Sequence, residues 1–296
     1  MPDIALITRV ARVLLWVAAA AFLLLGIAAW LLPEWASEHF PWSAGPFLAM
    51  TIGGWSIGTG LFAADAARDP RRDRAYPLVT YLGVFSLGQL LVALAFADRF
   101  RLGAILTWPY LLGLATALAG SILAALAWQR DSQRGRGAPP ERDPGRDSVP
   151  HRRGPQPVGR PSEDRSVPGW GRRAVVLFTL FVGSLALGTF IAGPDGAIAQ
   201  GRVFPETMSL FSIRAFSAFL FALTVASASL LVARQSLPYH ELARAGLYLI
   251  VPITLAALLN PRLFAADRPL TFFYLAAYVV VGLGLSWVLW HQRAER

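Results

Sequence analysis

The sequence predicts an all-α polytopic membrane protein with eight transmembrane helices, and two observations carry that prediction. Of its 296 residues, 55% are apolar and only 15% are charged, whereas a soluble domain carries about a quarter charged residues. The apolar residues also fall in eight runs of roughly 20, the length a helix needs to cross a bilayer core about 30 Å thick. The backbone N–H and C=O groups of a helix bond to each other. A bilayer requires this, because hydrocarbon offers them no hydrogen-bonding partner.

The predicted spans are separated by short polar loops and one long polar segment. The first span has the position of a signal peptide, but its apolar run of roughly 20 residues exceeds the usual 7 to 15, and no small-x-small cleavage site follows it. We therefore expect it to be retained as a helix. The predicted spans are 11–32, 46–66, 76–97, 106–128, 173–192, 208–233, 240–259 and 270–290.

The long polar segment, residues 131–169, is rich in Pro, Gly, Ser, Arg and Asp. It offers too little apolar surface to offset the entropy of ordering, which predicts a disordered cytoplasmic linker between two transmembrane halves, 1–130 and 170–296. All 27 basic residues are arginine, and 11 of them lie from Arg130 to Arg173 beside six acids. The net charge of +9 therefore belongs mainly to a solvated tether that can contact anionic lipid. Nucleic acid is not an expected partner, because no aromatic stacking platform accompanies the charge.

The arginines of the short loops predict the orientation, since cytoplasmic loops carry the excess of positive charge. With the N-terminus in the cytoplasm, the inner segments outside the linker hold ten arginines and the outer loops hold five. Several tryptophans, including Trp30, Trp42, Trp108 and Trp128, then lie near the two water interfaces, where indole rings are favoured. Both signals predict cytoplasmic termini in a multi-pass protein of the inner membrane.

The two halves resemble each other. A shift of about 164 residues aligns them almost without gaps, and upstream Gly26 matches Gly188 after a small adjustment. Four helices per half is an even number, so both halves enter from the same side, which predicts parallel repeats about a pseudo-two-fold axis along the membrane normal. The matching pairs include Phe40 with Phe204, Phe100 with Phe264, Leu106 with Leu270 and Tyr110 with Tyr274.

The first half resembles small four-helix bacterial membrane proteins that have no assigned function. The features that carry this resemblance are an acidic outer loop ending in Phe40-Pro41-Trp42, a glycine-rich helix from Gly53-Gly54-Trp55 to Gly60, and an arginine-rich inner loop. The resemblance covers about 130 residues and implies a four-helix fold, here duplicated, without implying an activity. The second half differs, with Glu206 after its Phe-Pro pair and no glycine cluster.

Glycines on the second span favour close helix packing. Gly54 and Gly58 form a small-xxx-small pair that lets another backbone approach. The corresponding seam on the sixth span has a spacing of three and four residues, so its side chains share one face. We expect these two spans to face each other across the pseudo-axis. The seam consists of Arg214, Ser217, Phe221, Thr224 and Ala228.

Arg214 is the charge that lies deepest in a predicted span, and such charges need a partner or a wet cavity. It begins about seven residues from the outer end, roughly 10 Å at 1.5 Å per residue, so its side chain can also snorkel to the outer interface. Three roles stay open: snorkelling, an ion pair with an outer acid such as Glu206, and ligand binding.

Pro252 interrupts the seventh span, and its repeat mate is Gly88, followed by Gln89. Paired weak points near the midplane are typical of binding sites between repeats. Packing alone also accounts for Pro and Gly in membrane helices. The candidate ligand-binding set is therefore Arg214, Ser217, Thr224, Gln89 and Pro252.

Catalytic chemistry has little support. The chain has no cysteine, so thiolate metal sites and iron–sulfur clusters are excluded, and no histidine or carboxylate accompanies Ser or Thr at membrane depth. We expect no catalytic residue, no cofactor and no metal site. An enzyme stays open only as a site assembled from distant loops.

Two interpretations of function follow. The leading one is a non-catalytic membrane protein, an accessory or scaffold component or a binder of an apolar ligand. The alternative is a small secondary transporter or channel with a site between the repeats. The expected partners are the lipid bilayer and either another membrane protein or further copies of this chain.

Overall fold

The computed structural model describes residues 4–69, 71–137, 169–233, 237–264 and 269–294, and over these ranges the chain forms nine α-helices and no β-strand. Short 3₁₀ turns follow three of the helices, at Ala97–Arg99, Leu230–Val232 and Pro261–Leu263. The helices are α1 (Ile4–Leu31), α2 (Pro33–His39), α3 (Pro46–Arg68), α4 (Arg72–Ala95), α5 (Thr107–Gly137), α6 (Gly169–Ile191), α7 (Leu210–Ser229), α8 (Leu237–Leu259) and α9 (Pro269–Ala294).

Eight of these helices, all except the seven-residue α2, are long and apolar enough to cross a membrane. This confirms the predicted all-helical class and the presence of eight helices suitable for crossing a membrane. We call the side at which α1 begins and α9 ends the terminal side, and the side that holds α2 the distal side.

The predicted linker begins later in the chain than its composition suggests. Helix α5 continues to Gly137, and α6 begins at Gly169. The segment that follows Trp128 includes Arg130, Gln133 and Arg134, which are good helix formers and extend α5 beyond the apolar span. The rest of the predicted linker, residues 138–168, lies outside the described residues.

The first half, α1 to α5, is a closed bundle. Helix α1 packs along both α3 and α5, and α4 packs against α5. Phe22 of α1 is 1% exposed and lies against Gly113 of α5, where an added Cβ would come within 2.9 Å of the phenyl ring. Gly26 meets α3 so closely that a Cβ would lie 2.6 Å from the amide nitrogen of Ile57. Small residues therefore bring these backbones together.

The second half, α6 to α9, is open. Helix α6 packs on α7 and α8 packs on α9, but α6 and α9 lack close backbone packing. Their clearest contact is at the terminal side, where the rings of Trp170 and Trp287 lie 4.8 Å apart. In the most apolar stretch of α9 only 6% of residues are buried, against 89% in α3. Helix α3 is thus the centre of the molecule and α9 its rim.

The two halves join through α3 with α8 and α4 with α7. Gly54 and Gly58 let α8 approach α3, as their spacing predicted. A Cβ at Gly54 would lie 3.2 Å from Pro252, and one at Gly58 would lie 2.4 Å from Leu249. Trp55 stacks on two α7 rings, with centroid distances of 4.8 Å to Phe216 and 4.2 Å to Phe219. Packing of apolar surfaces and small residues therefore holds the halves together.

Candidate functional site

Arg214 caps the distal end of α6. Its Nη1 donates to the carbonyl oxygens of Thr189 and Ala192 at 2.8 and 3.1 Å, and its guanidinium lies 5.5 Å from the ring centre of Phe190. Carbonyls in the last turn of a helix lack intrahelical partners, and a cation there is favoured by the helix dipole. The hydrogen bonds of this side chain therefore go to backbone carbonyls of the protein.

Glu206, the acid considered as a partner of Arg214, caps another helix. Its Oε1 accepts from the amide of Phe47 at 3.1 Å, and its Oε2 accepts from the amide of Leu48 at 2.9 Å. Those two amides open α3, where a carboxylate is favoured. Gly45 leaves room for it, since a Cβ there would lie 2.6 Å from Glu206 Oε2. The loop between α6 and α7 is thereby fastened to the first half.

The seam of α7 faces α6, which corrects the expectation that its polar side chains face α3. Ser217 donates to the carbonyl oxygen of Ala186 at 2.9 Å. Thr224 donates to Leu220 of its own helix at 2.9 Å, and a Cβ at Gly183 of α6 would touch Thr224 at 3.3 Å. Large aromatic rings, with Trp55 foremost, make the contact between α3 and α7.

Gln89 and Pro252 take part in contacts between helices. Gln89, which is 3% exposed, donates from Nε2 to the carbonyl oxygen of Ala215 at 2.7 Å and accepts at Oε1 from the Tyr110 hydroxyl at 2.9 Å. The carbonyl oxygen of Pro252 accepts from the indole of Trp30 at 3.1 Å.

The five predicted ligand-binding residues therefore do not share a cavity. Beside Gln89 there is a space of only about 20 Å³, enough for roughly one water molecule. Arg214, Ser217 and Thr224 turn to α6 instead. The interface between the halves is close-packed around Gln89 and Pro252.

A charged cluster, not anticipated from the sequence, lies at the terminal ends of α3 and α8. Nη2 of Arg244 lies 2.8 Å from Oδ2 of Asp65 and 2.7 Å from Oε2 of Glu241. Arg68 also approaches Asp65, at 3.7 Å. One guanidinium thus bridges two largely buried carboxylates and ties the halves together. The pair Glu241 and Arg244, three residues apart, was the available signal.

The neighbouring loop on the same side has a second set of ion pairs. Asp69 accepts from Arg71 and Arg74, with closest distances of 2.8 and 3.2 Å. The hydrogen bonds from Arg71 lower the pKa of the Asp69 carboxyl below its ordinary value, although partial burial opposes the shift. Both clusters pair their own arginines with acids, which leaves those arginines little freedom to bind a ligand.

Two cavities of the described residues lie between α6 and α9, and we call them together the second-half cleft. A distal lobe of about 220 Å³ and a terminal lobe of about 290 Å³ share part of their lining. The cleft therefore follows most of the length of α6, from Trp170 to Thr189, with α7 and α8 as its back wall. The residues that line both lobes are Phe178, Leu223, Gly246, Val281 and Leu285.

The lining of the second-half cleft is almost entirely hydrocarbon and aromatic. Among the described residues that form it none is charged, and the polar side chains are a few hydroxyls such as Ser184 and Tyr274. The Tyr274 hydroxyl lies near Thr51 and Tyr278 without reaching hydrogen-bonding geometry. Such a surface can contact an apolar chain through dispersion.

The predicted alignment of the halves contains a signal for this cleft. It pairs Phe22 with Ser184 and Gly113 with Ala277. Phe22 fills the interior of the first half, whereas Ser184 and Ala277 both line the cleft. Hydropathy alone does not reveal the difference, because both halves have apolar spans of similar length.

Comparison of the chain with known protein families, with curated proteins and with solved structures gave no match.

Proposed function

We propose that this chain is a non-catalytic integral membrane protein that binds the hydrocarbon chain of a lipid in the second-half cleft. The observation that carries the proposal is the cleft itself, an apolar space along the membrane normal in an otherwise close-packed molecule. An apolar chain in the cleft makes dispersion contacts with the lining residues, and these contacts together stabilise the complex.

The dimensions favour a thin occupant. A transmembrane helix is about 10 Å across and about 30 Å long, whereas the lobes have volumes of about 220 and 290 Å³. An extended acyl or isoprenoid chain matches this shape, and a helix does not. A partner protein can still pack on the outer faces of α6 and α9.

We further propose that the halves are parallel repeats, and reciprocal contacts support this. With the shift of 164 residues, Gly54 corresponds to Ala218 and Gly88 to Pro252. Gly54 lies against Pro252, and Gly88 lies against Ala218, where a Cβ would be 3.0 Å away. Each contact is the other with the two halves exchanged, as a pseudo-two-fold axis requires.

Pairs of aromatic residues are also related by exchange of the two halves. Phe47 lies 6.1 Å from Phe264, and the corresponding pair, Phe100 with Phe211, also lies 6.1 Å apart. In this proposal the closed first half is the scaffold, and the second half is a copy whose interior opened to hold a ligand. The arginine distribution further supports terminal ends in the cytoplasm of an inner-membrane protein.

The transporter alternative has weaker support. Its proposed site needs a polar cavity between the halves, but the donors of Arg214, Ser217 and Gln89 bond to backbone carbonyls of the chain itself. The second-half cleft runs along the bundle surface and has no charged lining that would select an ion.

Photo-crosslinking tests the proposal. The full-length protein is reconstituted with a phospholipid whose acyl chain carries a diazirine, and labelled residues are mapped by mass spectrometry. We expect labelling of Leu185, Val281 and Leu285 in the cleft to exceed labelling of Leu24, which is 68% exposed on α1. Equal labelling of the two faces would contradict the proposal.

Two plugging variants separate the lobes. Ser184→Phe places in the distal lobe the residue type found at Phe22, and Gly284→Phe enters the terminal lobe at a position where a Cβ meets nothing within 4 Å. Each should reduce labelling of its own lobe. The control is Gly103→Phe, at another open glycine outside the cleft; it should leave both lobes labelled. Cleft labelling that persists in both plugged variants would overturn the proposal.

A further inference from the structure

The terminal end of the second-half cleft has the composition of a membrane interface. Trp170 of α6 and Trp287 and His291 of α9 form an aromatic cluster there, with ring centroids 4.8 to 5.7 Å apart. Trp170 and Trp287 also line the terminal lobe. Indole rings favour the level of the lipid headgroups, so the cluster marks where a chain in the cleft would meet its polar head.

Two arginines stand beside this cluster. Arg172 and Arg173 lie near the start of α6, after Trp170 and Gly171, and both are exposed. Arg172 interacts with the hydroxyl of Tyr239, which itself lines the terminal lobe. Arg172 therefore lies at the mouth of the cleft, and Arg173 is its neighbour on α6.

These arginines differ from four others on the terminal side. Arg68, Arg71, Arg74 and Arg244 all pair with carboxylates. Within the described residues no carboxylate forms a salt bridge with Arg172 or Arg173. A guanidinium group that has no carboxylate partner among the described residues can bind an anion, and its planar donors suit the oxygens of a phosphate.

We propose that the occupant of the second-half cleft is an anionic phospholipid of the terminal-side leaflet, with its phosphate held by Arg172 and Arg173 and one acyl chain in the cleft. This inference rests on the proposed function, because it assigns the headgroup of the lipid whose chain the cleft binds. It concerns two helical residues at the cleft mouth and is separate from any contact made by the linker.

Electron paramagnetic resonance of spin-labelled lipids tests it. The full chain is reconstituted in phosphatidylcholine nanodiscs that contain a trace of chain-labelled phosphatidylglycerol or chain-labelled phosphatidylcholine. The immobilised fraction of each label gives the relative affinity. The wild type should prefer phosphatidylglycerol. Because a basic residue near an anionic headgroup contributes about 1 kcal/mol, replacing both arginines should reduce that preference roughly thirtyfold.

The variant Arg172→Ala with Arg173→Ala should lose the preference and keep phosphatidylcholine binding. The matched control is Arg9→Ala with Arg12→Ala, two exposed arginines at the terminal end of α1, where the space beside Arg12 measures only about 10 Å³. This control should keep the preference. A preference that survives in the Arg172 and Arg173 variant would overturn the inference.

Two further experiments distinguish a failure of the proposed function from a failure of the headgroup inference. If Gly284→Phe changes the binding of neither lipid, the proposed function itself fails. If it weakens both while the arginine variant changes nothing, only the headgroup inference fails. Glycerol phosphate and inorganic phosphate, added at millimolar concentration, should not displace the labelled phosphatidylglycerol. Displacement would assign the arginines to a soluble phosphate and overturn the lipid inference.

Discussion

The two halves have matching helices and opposite interiors. In the first half, Phe22 of α1 fills the space against Gly113 of α5. In the second half, the aligned residues Ser184 and Ala277 line a cavity of about 220 Å³. A similar order of helices therefore gives a packed bundle or an open one, depending on a few interior side chains. The lesson is that spans set the architecture, whereas side-chain volume decides whether a bundle has room for a ligand.

Glycines show the same contrast. Gly26 and Gly120 of the first half are tightly enclosed, with an added Cβ 2.6 Å from Ile57 and 3.1 Å from Leu15, respectively. Their counterparts, Gly188 and Gly284, have nothing within 4 Å of an added Cβ. The glycines were matched by sequence, but only in the first half do they serve close approach.

The largest expected effect comes from emptying the first half. Phe22→Ala removes a fully buried ring and should lower the free energy of unfolding by about 3–5 kcal/mol, through lost burial and a new cavity. The measurement is thermal unfolding in detergent by circular dichroism. Ser184→Phe, the converse change, should leave the unfolding temperature nearly unchanged. Equal losses in both variants would remove the contrast between the halves.

A smaller effect is expected at the helix contact. Gly26→Ala places a methyl group against the α3 backbone and should cost about 1–3 kcal/mol, as overpacking of a core does. Gly188→Ala has open space and should be neutral, or slightly stabilising through better helix propensity. Both variants are compared by unfolding at increasing denaturant concentration. A destabilised Gly188→Ala would mean that α6 is more enclosed than its contacts indicate.

The two halves also differ in their buried polar contacts, and a single substitution tests this difference. Gln89 bonds to the hydroxyl of Tyr110, whereas the corresponding residue near Tyr274 is Ile253. Gln89→Leu leaves the Tyr110 hydroxyl unpaired and should cost about 1–2 kcal/mol.

Two related variants interpret that result in the same thermal unfolding assay. Tyr110→Phe in the Gln89→Leu background should recover part of the loss, because no unpaired hydroxyl remains. Ile253→Leu should cost less than about 1.5 kcal/mol, as a volume-conserving change. An additive loss in the double variant would show that the hydrogen bond does not couple the two residues.

The smallest effect concerns the terminal loop of the first half. Asp69 pairs with Arg71 and Arg74, and the aligned residue of the second half is Ala233. The pKa of Asp69 is lowered in the folded state. Its stabilisation is therefore present above the unfolded pKa of about 4 and lost as the pH falls through the lower, folded pKa.

Since this pair is largely at the surface, the contribution should stay below about 1 kcal/mol. Asp69→Asn should lower the unfolding temperature slightly at pH 7, and the difference from the wild type should shrink as the pH falls below about 4. High salt should shrink it at pH 7. A difference that changes with neither pH nor salt would assign the effect to packing.

Much of the fold could be predicted because it depends on local properties. Each span was recognised from an apolar run of sufficient length, and the spacing of Gly54 and Gly58 predicted that another backbone approaches there. The expected neighbour was the sixth span, whereas the structure places α8 there. The site was less predictable. Arg214 was identified as needing a partner, but the partner is a pair of α6 carbonyls, which carry no sequence signature.

The sequence by itself determined the all-helical, eight-span class, because a bilayer tolerates only segments that satisfy their own backbone hydrogen bonds over a fixed length. Only the tertiary structure decided where α6 and α9 separate, how Glu206 and Arg214 cap helices, and how Arg244 joins Asp65 to Glu241. The contacts of Glu206, Arg214 and Arg244 join residues far apart in the chain. The cleft depends on the volume of a few interior side chains.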